Sequence, residues 1–199
     1  MIRNIIFDMG DVLLWYRPLQ ACLALLENAA DAQALYAAFF GGDAWVAVDH
    51  GTLDGDAFTT AVKAQLPTRL HPAVDMLYAG MPENILIPIE GMDAVVDAVL
   101  RRGFNVYLLS NAGKFMSRRR DVIPHIGRFH GVMFSGDEGM VKPDPRLYER
   151  LMARYGLQAE ECLFIEDREN NLLAAAALGW RTHRFTGDIQ ALQSELNAL

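Results

Sequence analysis

The feature that most constrains this chain is a short apolar segment near its start that ends directly on an aspartate. Ile5, Ile6 and Phe7 form an apolar run with β-branched residues, which is typical of a strand buried on both faces of a parallel sheet. Such a strand has no room for a charge, so Asp8 must lie at its carboxyl end, where open α/β sheets bind their ligands. Asp8 is therefore a candidate nucleophile or metal ligand, although an aspartate after a strand also often caps the next segment.

Beyond residue 88 the sequence alternates between strand and helix patterns, which is typical of a parallel sheet with crossover helices. Strands are expected at residues 105–109, 131–134, 162–165 and 181–185. Helices are expected at residues 89–102, 114–121, 145–155 and 170–178, with a last helix that begins at Ile189. With the first strand this makes a five-stranded, Rossmann-like α/β core. The chain order alone does not determine the spatial order of the strands.

The segment that follows the first strand has a different pattern. Apolar residues recur there at helical spacing, and glycine and proline residues separate the successive helices. No strand is readable in this segment. We therefore expect a small helical bundle, here called the cap, over residues 15–84, inserted into an α/β core domain that consists of residues 1–14 and 85–199.

The composition argues against several classes of function. The chain has 199 residues and a formal net charge of −7, which disfavours nucleic-acid binding because such surfaces are basic. Cys22 and Cys162 lie far apart in apolar runs, so we expect no disulfide and no cysteine-based metal site. No apolar run is long enough to span a bilayer, and the first residues lack the features of a signal peptide. We expect a cytoplasmic monomer or homodimer that acts on a small molecule.

Polar residues follow the strand patterns at several places along the chain. They are Ser110 and Asn111 after the second core strand, Lys142 in the loop before residue 145, and Glu166 and Asp167 after the fourth core strand. Because parallel strands place their carboxyl ends at one edge of the sheet, we expect these residues to lie close to Asp8. Clustered carboxylates require a cation, and oxygen ligands of this kind suit Mg²⁺. A lysine and a Ser-Asn pair suit a phosphate, so the set indicates phosphoryl transfer to an aspartate.

Four segments resemble, in order and spacing, the motifs of the haloacid dehalogenase-like hydrolase superfamily. They are residues 7–12 (Phe-Asp-Met-Gly-Asp-Val), 108–111 (Leu-Leu-Ser-Asn), 140–145 (Met-Val-Lys-Pro-Asp-Pro) and 164–171 (Phe-Ile-Glu-Asp-Arg-Glu-Asn-Asn). The resemblance covers essentially the whole chain, including a helical cap between the first two motifs. It implies a Mg²⁺-dependent phosphatase that acts on a small phosphorylated metabolite and forms an aspartyl-phosphate intermediate.

The resemblance also implies a role for each matching residue. The implied nucleophile is Asp8. The implied Mg²⁺ ligands are Asp8, the backbone carbonyl of Gly10, Asp167 and Glu166. The residues implied to bind the transferring phosphoryl group are Ser110, Asn111 and Lys142, and the lysine would also hold the nucleophile. Asn171 matches a later position of the fourth motif and would act through water.

One position departs from the pattern of this superfamily. Its phosphatases usually carry a second aspartate two residues after the nucleophile, which protonates the leaving group, and this chain has Gly10 there. Asp11 comes one residue later, where strand alternation directs its side chain elsewhere, so we do not expect it to replace that acid. A similar opening occurs in a branch that resembles bacterial α-D-glucose-1-phosphatases. An anomeric oxygen is a better leaving group than a simple alkoxide, so a sugar 1-phosphate is the expected substrate.

Substrate contacts are expected at the junction with the cap. Trp15, Tyr16 and Arg17 lie there, and aromatic faces stack on sugars while arginine binds anions. The alternative for Trp15 and Tyr16 is that they pack the hinge between the domains. Trp45 lies inside the cap, where packing in the interior is the expected role.

Two other functions remain open at this stage. A 2-haloacid dehalogenase would use Asp8 to displace a halide without a metal, which would explain Gly10 but gives no reason for Glu166 and Asp167 at the site. A sugar-phosphate binder would have lost turnover together with the acid. Each polar residue also has a simpler explanation alone, as a turn, cap or loop residue, and only their joint placement after consecutive strands favours a catalytic site.

Overall fold

Five parallel strands form the sheet at the centre of the core domain, in a computed structural model that describes residues 1–199. The strands of the chain are β1 (Asn4–Phe7), β2 (Leu14–Tyr16), β3 (Leu86–Pro88), β4 (Asn105–Ser110), β5 (Gly131–Phe134), β6 (Cys162–Glu166) and β7 (Arg181–Arg184). The order in the five-stranded sheet is β5-β4-β1-β6-β7, and every neighbouring pair is parallel. The predicted Rossmann-like α/β core is confirmed, and β1 lies at its centre.

The segment between β2 and β3 folds into five helices, as its apolar spacing indicated. They are α1 (Pro18–Leu25), α2 (Ala29–Phe40), α3 (Asp43–Asp49), α4 (Gly55–Lys63) and α5 (His71–Ala79). The interior of this cap is aromatic, with the Phe39 and Phe58 rings edge to face and their centroids 4.8 Å apart. Trp45 and Phe40 pack in a similar geometry, also at 4.8 Å. Such pairs contribute about 0.5–1.5 kcal/mol each beyond the area they bury.

β2 and β3 form a two-stranded antiparallel ribbon where the chain enters and leaves the cap. Leu14 pairs with Pro88, and Tyr16 pairs with Leu86. The sequence analysis missed both strands, because three-residue strands are too short to show alternation and their pairing joins distant parts of the chain. The domain boundaries expected after residues 14 and 84 fall within or beside this ribbon.

The core helices connect the strands of the sheet. They are α6 (Met92–Arg101), α7 (Phe115–Arg118), α8 (Ser135–Glu138), α9 (Pro145–Tyr155), α10 (Glu169–Ala177) and α11 (Ile189–Asn197). Ile5 and Phe7 of β1 belong to one apolar cluster and Ile6 belongs to another, so both faces of the sheet are buried. None of the helices is long and apolar enough to cross a membrane.

One expected helix is much shorter than its sequence suggested. The helix expected at residues 114–121 is a single turn, α7, which has no side-chain cap and is followed by a 3₁₀ turn at Arg120–Val122. In contrast, the turn expected after β5 forms α8, which ends at Gly139 in the left-handed conformation, with φ +70°. Both differences concern elements of four residues, whose local signals are weak.

The cap contacts the core through the C-terminal end of α3. The Ser135 hydroxyl donates a hydrogen bond to the backbone carbonyl of Asp49 (2.7 Å) and accepts one from the backbone N–H of Ala112 (2.9 Å). Gly51, two residues beyond Asp49, has φ +68°, and a Cβ at this position would lie 1.8 Å from the carbonyl oxygen of Gly136. The backbones of the cap and the core therefore touch directly at this point.

Replacement of Gly51 by alanine is expected to separate the cap from the core at this contact. The new methyl group overlaps the Gly136 carbonyl, whereas at Gly55, which also has a positive φ of +59°, nothing lies within 4 Å of the added atom. Urea unfolding should show a loss of about 1–2 kcal/mol for Gly55→Ala, which is the cost of the backbone alone, and a larger loss for Gly51→Ala. Equal losses in the two variants would show that this contact does not hold the cap.

Candidate active site

The centre of the candidate site is a buried lysine between two carboxylates. Lys142 Nζ lies 2.7 Å from Asp8 Oδ1 and 2.7 Å from Glu166 Oε2, and it donates a hydrogen bond to the Leu109 carbonyl (2.9 Å). Asp8 follows β1, Glu166 ends β6, and Leu109 belongs to β4. The carboxyl ends of three neighbouring strands thus surround one ammonium group. We call the three charged residues the lysine triad.

Burial and charge together set the protonation of the lysine triad. Burial alone would lower the pKa of Lys142, but the two carboxylates raise it above its ordinary value, so the side chain is an ammonium. Burial alone would raise the pKa of Glu166, but Lys142 and the hydrogen bonds around Glu166 lower it to about 2. Burial raises the pKa of Asp8 to about 6 despite the attraction of Lys142. Asp8 is therefore the member whose negative charge a nearby cation would stabilise most.

Glu166 uses its hydrogen-bonding capacity within the protein. Its Oε2 accepts hydrogen bonds from Lys142 Nζ and from Asn171 Nδ2, at 2.7 Å and 2.9 Å. Its Oε1 accepts from the backbone N–H groups of Asp167 and Arg168, at 3.1 Å each. A carboxylate offers about four lone-pair sites, so Glu166 has none left for a metal. The structure favours a positioning role for Glu166 in place of the metal ligand that the resemblance implied, and it gives Asn171 a direct bond to Glu166 in place of an action through water.

Asp167 is the carboxylate that the structure leaves free beside Asp8. Its Oδ1 is buried without a hydrogen-bond partner, and it belongs to a cluster in which oxygens of Asp8, Glu166 and Asp167 lie within 4.8 Å of one another. Burial raises the pKa of Asp167 to about 7, with contributions from Glu166 and Asp8. Free oxygen donors this close together fit a small divalent cation such as Mg²⁺. Asp8 and Asp167 would hold it, and Gly10, whose carbonyl was the other expected ligand, lines the same cavity.

Ser110 and Asn111 have different surroundings at the end of β4. The Ser110 side chain faces the cavity, and its hydroxyl takes part in none of the hydrogen bonds of the structure, so it is free to bind a ligand. Asn111 donates from Nδ2 to the backbone carbonyl of Lys142 (2.9 Å) and accepts from the Lys142 N–H at Oδ1 (2.7 Å). The amide of Asn111 therefore positions Lys142, whereas the sequence analysis expected it to bind the phosphoryl group.

A cavity of about 100 Å³ opens above these groups, between the core and the cap. Since a water occupies roughly 30 Å³ in the liquid, the cavity has room for roughly three waters, or for one small molecule. Apolar and aromatic residues form much of its wall, namely Tyr16, Trp45, Ile85, Leu86, Phe115 and Met116. From the sequence, Tyr16 was a possible ligand contact and Trp45 was expected to pack inside the cap. The other four residues were not predicted, because none carries a motif and they come together only in the folded chain.

Trp15 and Arg17 do not line this cavity. Arg17 Nη1 donates to Asp11 Oδ1 (2.7 Å), and its guanidinium lies over the Trp15 ring, 4.5 Å from the centroid. The backbone N–H of Tyr16 also donates to Asp11 Oδ1, at 3.2 Å. These contacts fix the turn after β1 and place Trp15 and Arg17 outside the cavity wall, so that substrate binding by these two residues stays a prediction. Tyr16, which lies between them on the opposite side of its strand, is the residue that reaches the cavity.

Two charged residues that the sequence analysis did not consider also line the cavity. Asp49 is the last residue of α3 in the cap, and Arg168 comes directly after Asp167 within the motif at residues 164–171. Burial raises the pKa of Asp49 to about 6, against the attraction of Arg168. No sequence pattern links Asp49 to the site, since its position depends on how the cap lies on the core.

The protein-family model described as haloacid dehalogenase-like hydrolase matches residues 2–179. The chain belongs to this family. The match covers four of the five strands of the sheet (β7 lies beyond it), the cap and the residues of the lysine triad, so the resemblance found in the four motifs is confirmed. The protein is accordingly a hydrolase.

Several known proteins are similar to this haloacid dehalogenase-like hydrolase over most of its length. A sesquiterpene phosphatase of Aspergillus oryzae is 25% identical over 177 residues, which are 87% of this chain and 85% of that protein. Mouse acyl-CoA dehydrogenase family member 10 is 26% identical over 206 residues, which cover 99% of this chain but only 19% of that protein. A structure of a haloacid dehalogenase family enzyme from Bacteroides thetaiotaomicron, in complex with magnesium and inorganic phosphate, has a TM-score of 0.74 at 21% identity. It covers 96% of this chain and 99% of its own, and it shows that the fold is shared.

Removal of the lysine from the triad is expected to destabilise the fold strongly. In Lys142→Met, Asp8 and Glu166 would face each other as buried carboxylates without a cation, which typically costs about 3–5 kcal/mol. The matched control is Lys63→Met, which removes a surface ion pair with Asp75 and should cost about 1 kcal/mol or less. Urea denaturation of both variants measures the difference. Similar free energies of unfolding would contradict the central role given to Lys142.

Proposed function

We propose that this hydrolase is a Mg²⁺-dependent phosphatase, which hydrolyses a small phosphate monoester through a phosphorylated Asp8. The observation that carries the proposal is that the carboxylates of Asp8 and Asp167 and the hydroxyl of Ser110 face one cavity, beside the buried ammonium of Lys142 that pairs with Asp8. An aspartate nucleophile, a divalent-cation site and fixed donors for phosphoryl oxygens are the parts that such a reaction requires.

Each residue of the site has a separate role in this reaction. Asp8 Oδ attacks the phosphorus, and Lys142, 2.7 Å away, keeps the nucleophile ionised and offers positive charge to the phosphoryl oxygens. Ser110 donates its free hydroxyl to one of those oxygens. Glu166 and Asn111 hold Lys142 in place from two sides. When bound between Asp8 and Asp167, Mg²⁺ would neutralise part of the negative charge that gathers there.

The wall of the cavity limits the organic part of the substrate. The available volume of about 100 Å³ favours a small monoester, and the aromatic faces of Tyr16 and Trp45 suit either a sugar ring or an apolar group. A sesquiterpene phosphatase among the relatives handles an apolar group, and this supports testing both classes. A sugar 1-phosphate was expected on the assumption that no acid reaches the leaving oxygen. The cap places the carboxyl group of Asp49 in the cavity wall, so this assumption has to be tested. Cytoplasmic location and assembly as a monomer or homodimer stay predictions.

A 2-haloacid dehalogenase is the alternative that the experiment must exclude. Such an enzyme needs the aspartate nucleophile but no metal, so the free carboxylate of Asp167 beside Asp8 would only repel its anionic substrate. The buried, partnerless Oδ1 of Asp167 therefore favours the phosphatase.

The test is phosphate release from a panel of sugar, polyol, isoprenoid and aryl monophosphates. The wild-type protein should release phosphate with Mg²⁺ and none with excess EDTA, and Asp8→Asn should lose at least about 10⁴-fold in rate, because the nucleophile is removed. Asp56→Asn makes the same change at an exposed position of α4 and should keep full activity. Chloride release from 2-chloropropionate in the presence of EDTA would instead identify a dehalogenase. Stabilisation by phosphorylated ligands without any turnover would identify a binding protein.

A further inference from the structure

We propose that Asp49 of the cap donates the proton to the leaving group, in place of the acid that is missing at Gly10. This inference rests on the proposed phosphatase activity and adds a catalytic residue to it. The site otherwise has an aspartate nucleophile with no proton donor, because the position two residues after Asp8 has no side chain. A donor must therefore come from another part of the chain.

Elimination among the acids of the cavity leaves one candidate. Four aspartates line it, namely Asp8, Asp11, Asp49 and Asp167. Asp8 and Asp167 belong to the carboxylate cluster that fits a cation, so neither is available as the acid. Asp11 is held by an ion pair with Arg17 at 2.7 Å and by the N–H of Tyr16. The Asp49 carboxylate takes part in none of the hydrogen bonds or ion pairs of the structure, so it is free to act on a ligand.

The position of Asp49 does not depend on its own side chain. Its backbone carbonyl accepts the hydrogen bond from the buried Ser135, which is fixed in turn by the Ala112 N–H, two residues after Ser110. The direct contact of Gly51 with the core lies two residues further along. These contacts hold the C-terminal end of α3 next to the segment that follows Ser110. The Asp49 carboxylate therefore faces the cavity from the side of the cap, where the organic part of a substrate would lie.

The surroundings of Asp49 suit a proton donor. Burial raises its pKa to about 6, while Arg168, His50 and Lys142 attract its negative charge and Asp8 repels it. A carboxyl group with a pKa in this region is protonated in part of the population near neutral pH and can both give and take a proton. Asp8 cannot serve this purpose, because it must be ionised to attack.

The two steps of the reaction balance with Asp49 in this role. In the first, Asp8 Oδ forms a bond to phosphorus, the bond from phosphorus to the ester oxygen breaks, and that oxygen takes the Asp49 proton and leaves as an alcohol. In the second, water attacks the phosphorus of the phosphorylated Asp8, and the Asp49 carboxylate takes the proton of that water. The bond to Asp8 breaks and inorganic phosphate leaves, which restores both side chains.

An acid at Asp49 also changes the expected substrate range. A sugar 1-phosphate was expected because an enzyme without an acid needs a substrate with a good leaving group. With a proton donor in the cap, a simple alkyl phosphate becomes an equally suitable substrate. The dependence of the rate on the leaving group therefore shows whether Asp49 donates a proton.

The test compares two phosphates of similar size that differ in their leaving groups, 4-nitrophenyl phosphate and cyclohexyl phosphate. Nitrophenolate leaves without a proton, whereas cyclohexanol requires one. Asp49→Asn should lower kcat/KM for cyclohexyl phosphate by about 10²-fold or more and for 4-nitrophenyl phosphate by less than about threefold. Asp43→Asn, which makes the same change in the first turn of α3 and outside the cavity, should leave both rates unchanged. Calorimetric binding of inorganic phosphate in the presence of Mg²⁺ should be the same in both variants as in the wild type, which shows an intact site.

Equal losses on the two substrates would overturn the inference, since they would assign Asp49 a role in placing the cap. The absence of any loss on cyclohexyl phosphate would overturn it as well. Both outcomes require an active wild type, with Asp8→Asn inactive on both substrates. A wild-type protein that releases phosphate neither from these two substrates nor from any monophosphate of the panel would instead refute the proposed function, and the inference with it.

Discussion

The structure depends on the placement of one buried positive charge. Lys142 is almost fully shielded from water, and such a group is tolerated only because two carboxylates and a carbonyl surround it. Each of these partners comes from the end of a different strand, so the ammonium can be satisfied only when β1, β4 and β6 lie side by side. Correct assembly of the sheet and correct assembly of the catalytic charges are thus a single condition.

The chemistry at this edge is divided between groups that act on a ligand and groups that hold them. Asp8, Asp167 and Ser110 line the cavity with oxygens that can reach a ligand, whereas Glu166 and Asn111 use their hydrogen bonds inside the protein. Residues that neighbour each other in a motif, such as Ser110 and Asn111, therefore have separate tasks. A motif identifies the pair, and only the geometry assigns the tasks.

The sequence predicted the parts of this molecule that rest on periodic patterns. The five-stranded core and the gathering point of Asp8 and Lys142 follow from buried strands whose carboxyl ends meet. The β2–β3 ribbon and the cavity wall could not be predicted, because three-residue strands carry little local signal and because Trp45 of the cap and Phe115 of the core come together only through tertiary packing. The sequence also could not determine which of Trp15, Tyr16 and Arg17 faces the cavity, because a one-residue alternation decides it.

The antiparallel ribbon has a consequence for how such a protein can be altered. It brings the two points where the cap joins the core next to each other, with Leu14 opposite Pro88. The two ends of the inserted segment are thus held side by side by the ribbon itself. The length of the segment between β2 and β3 is therefore not constrained by any distance within the sheet. Insertions of other lengths could therefore replace the helical bundle without changing the strand order. Each such replacement would place a different cavity wall above the same lysine triad.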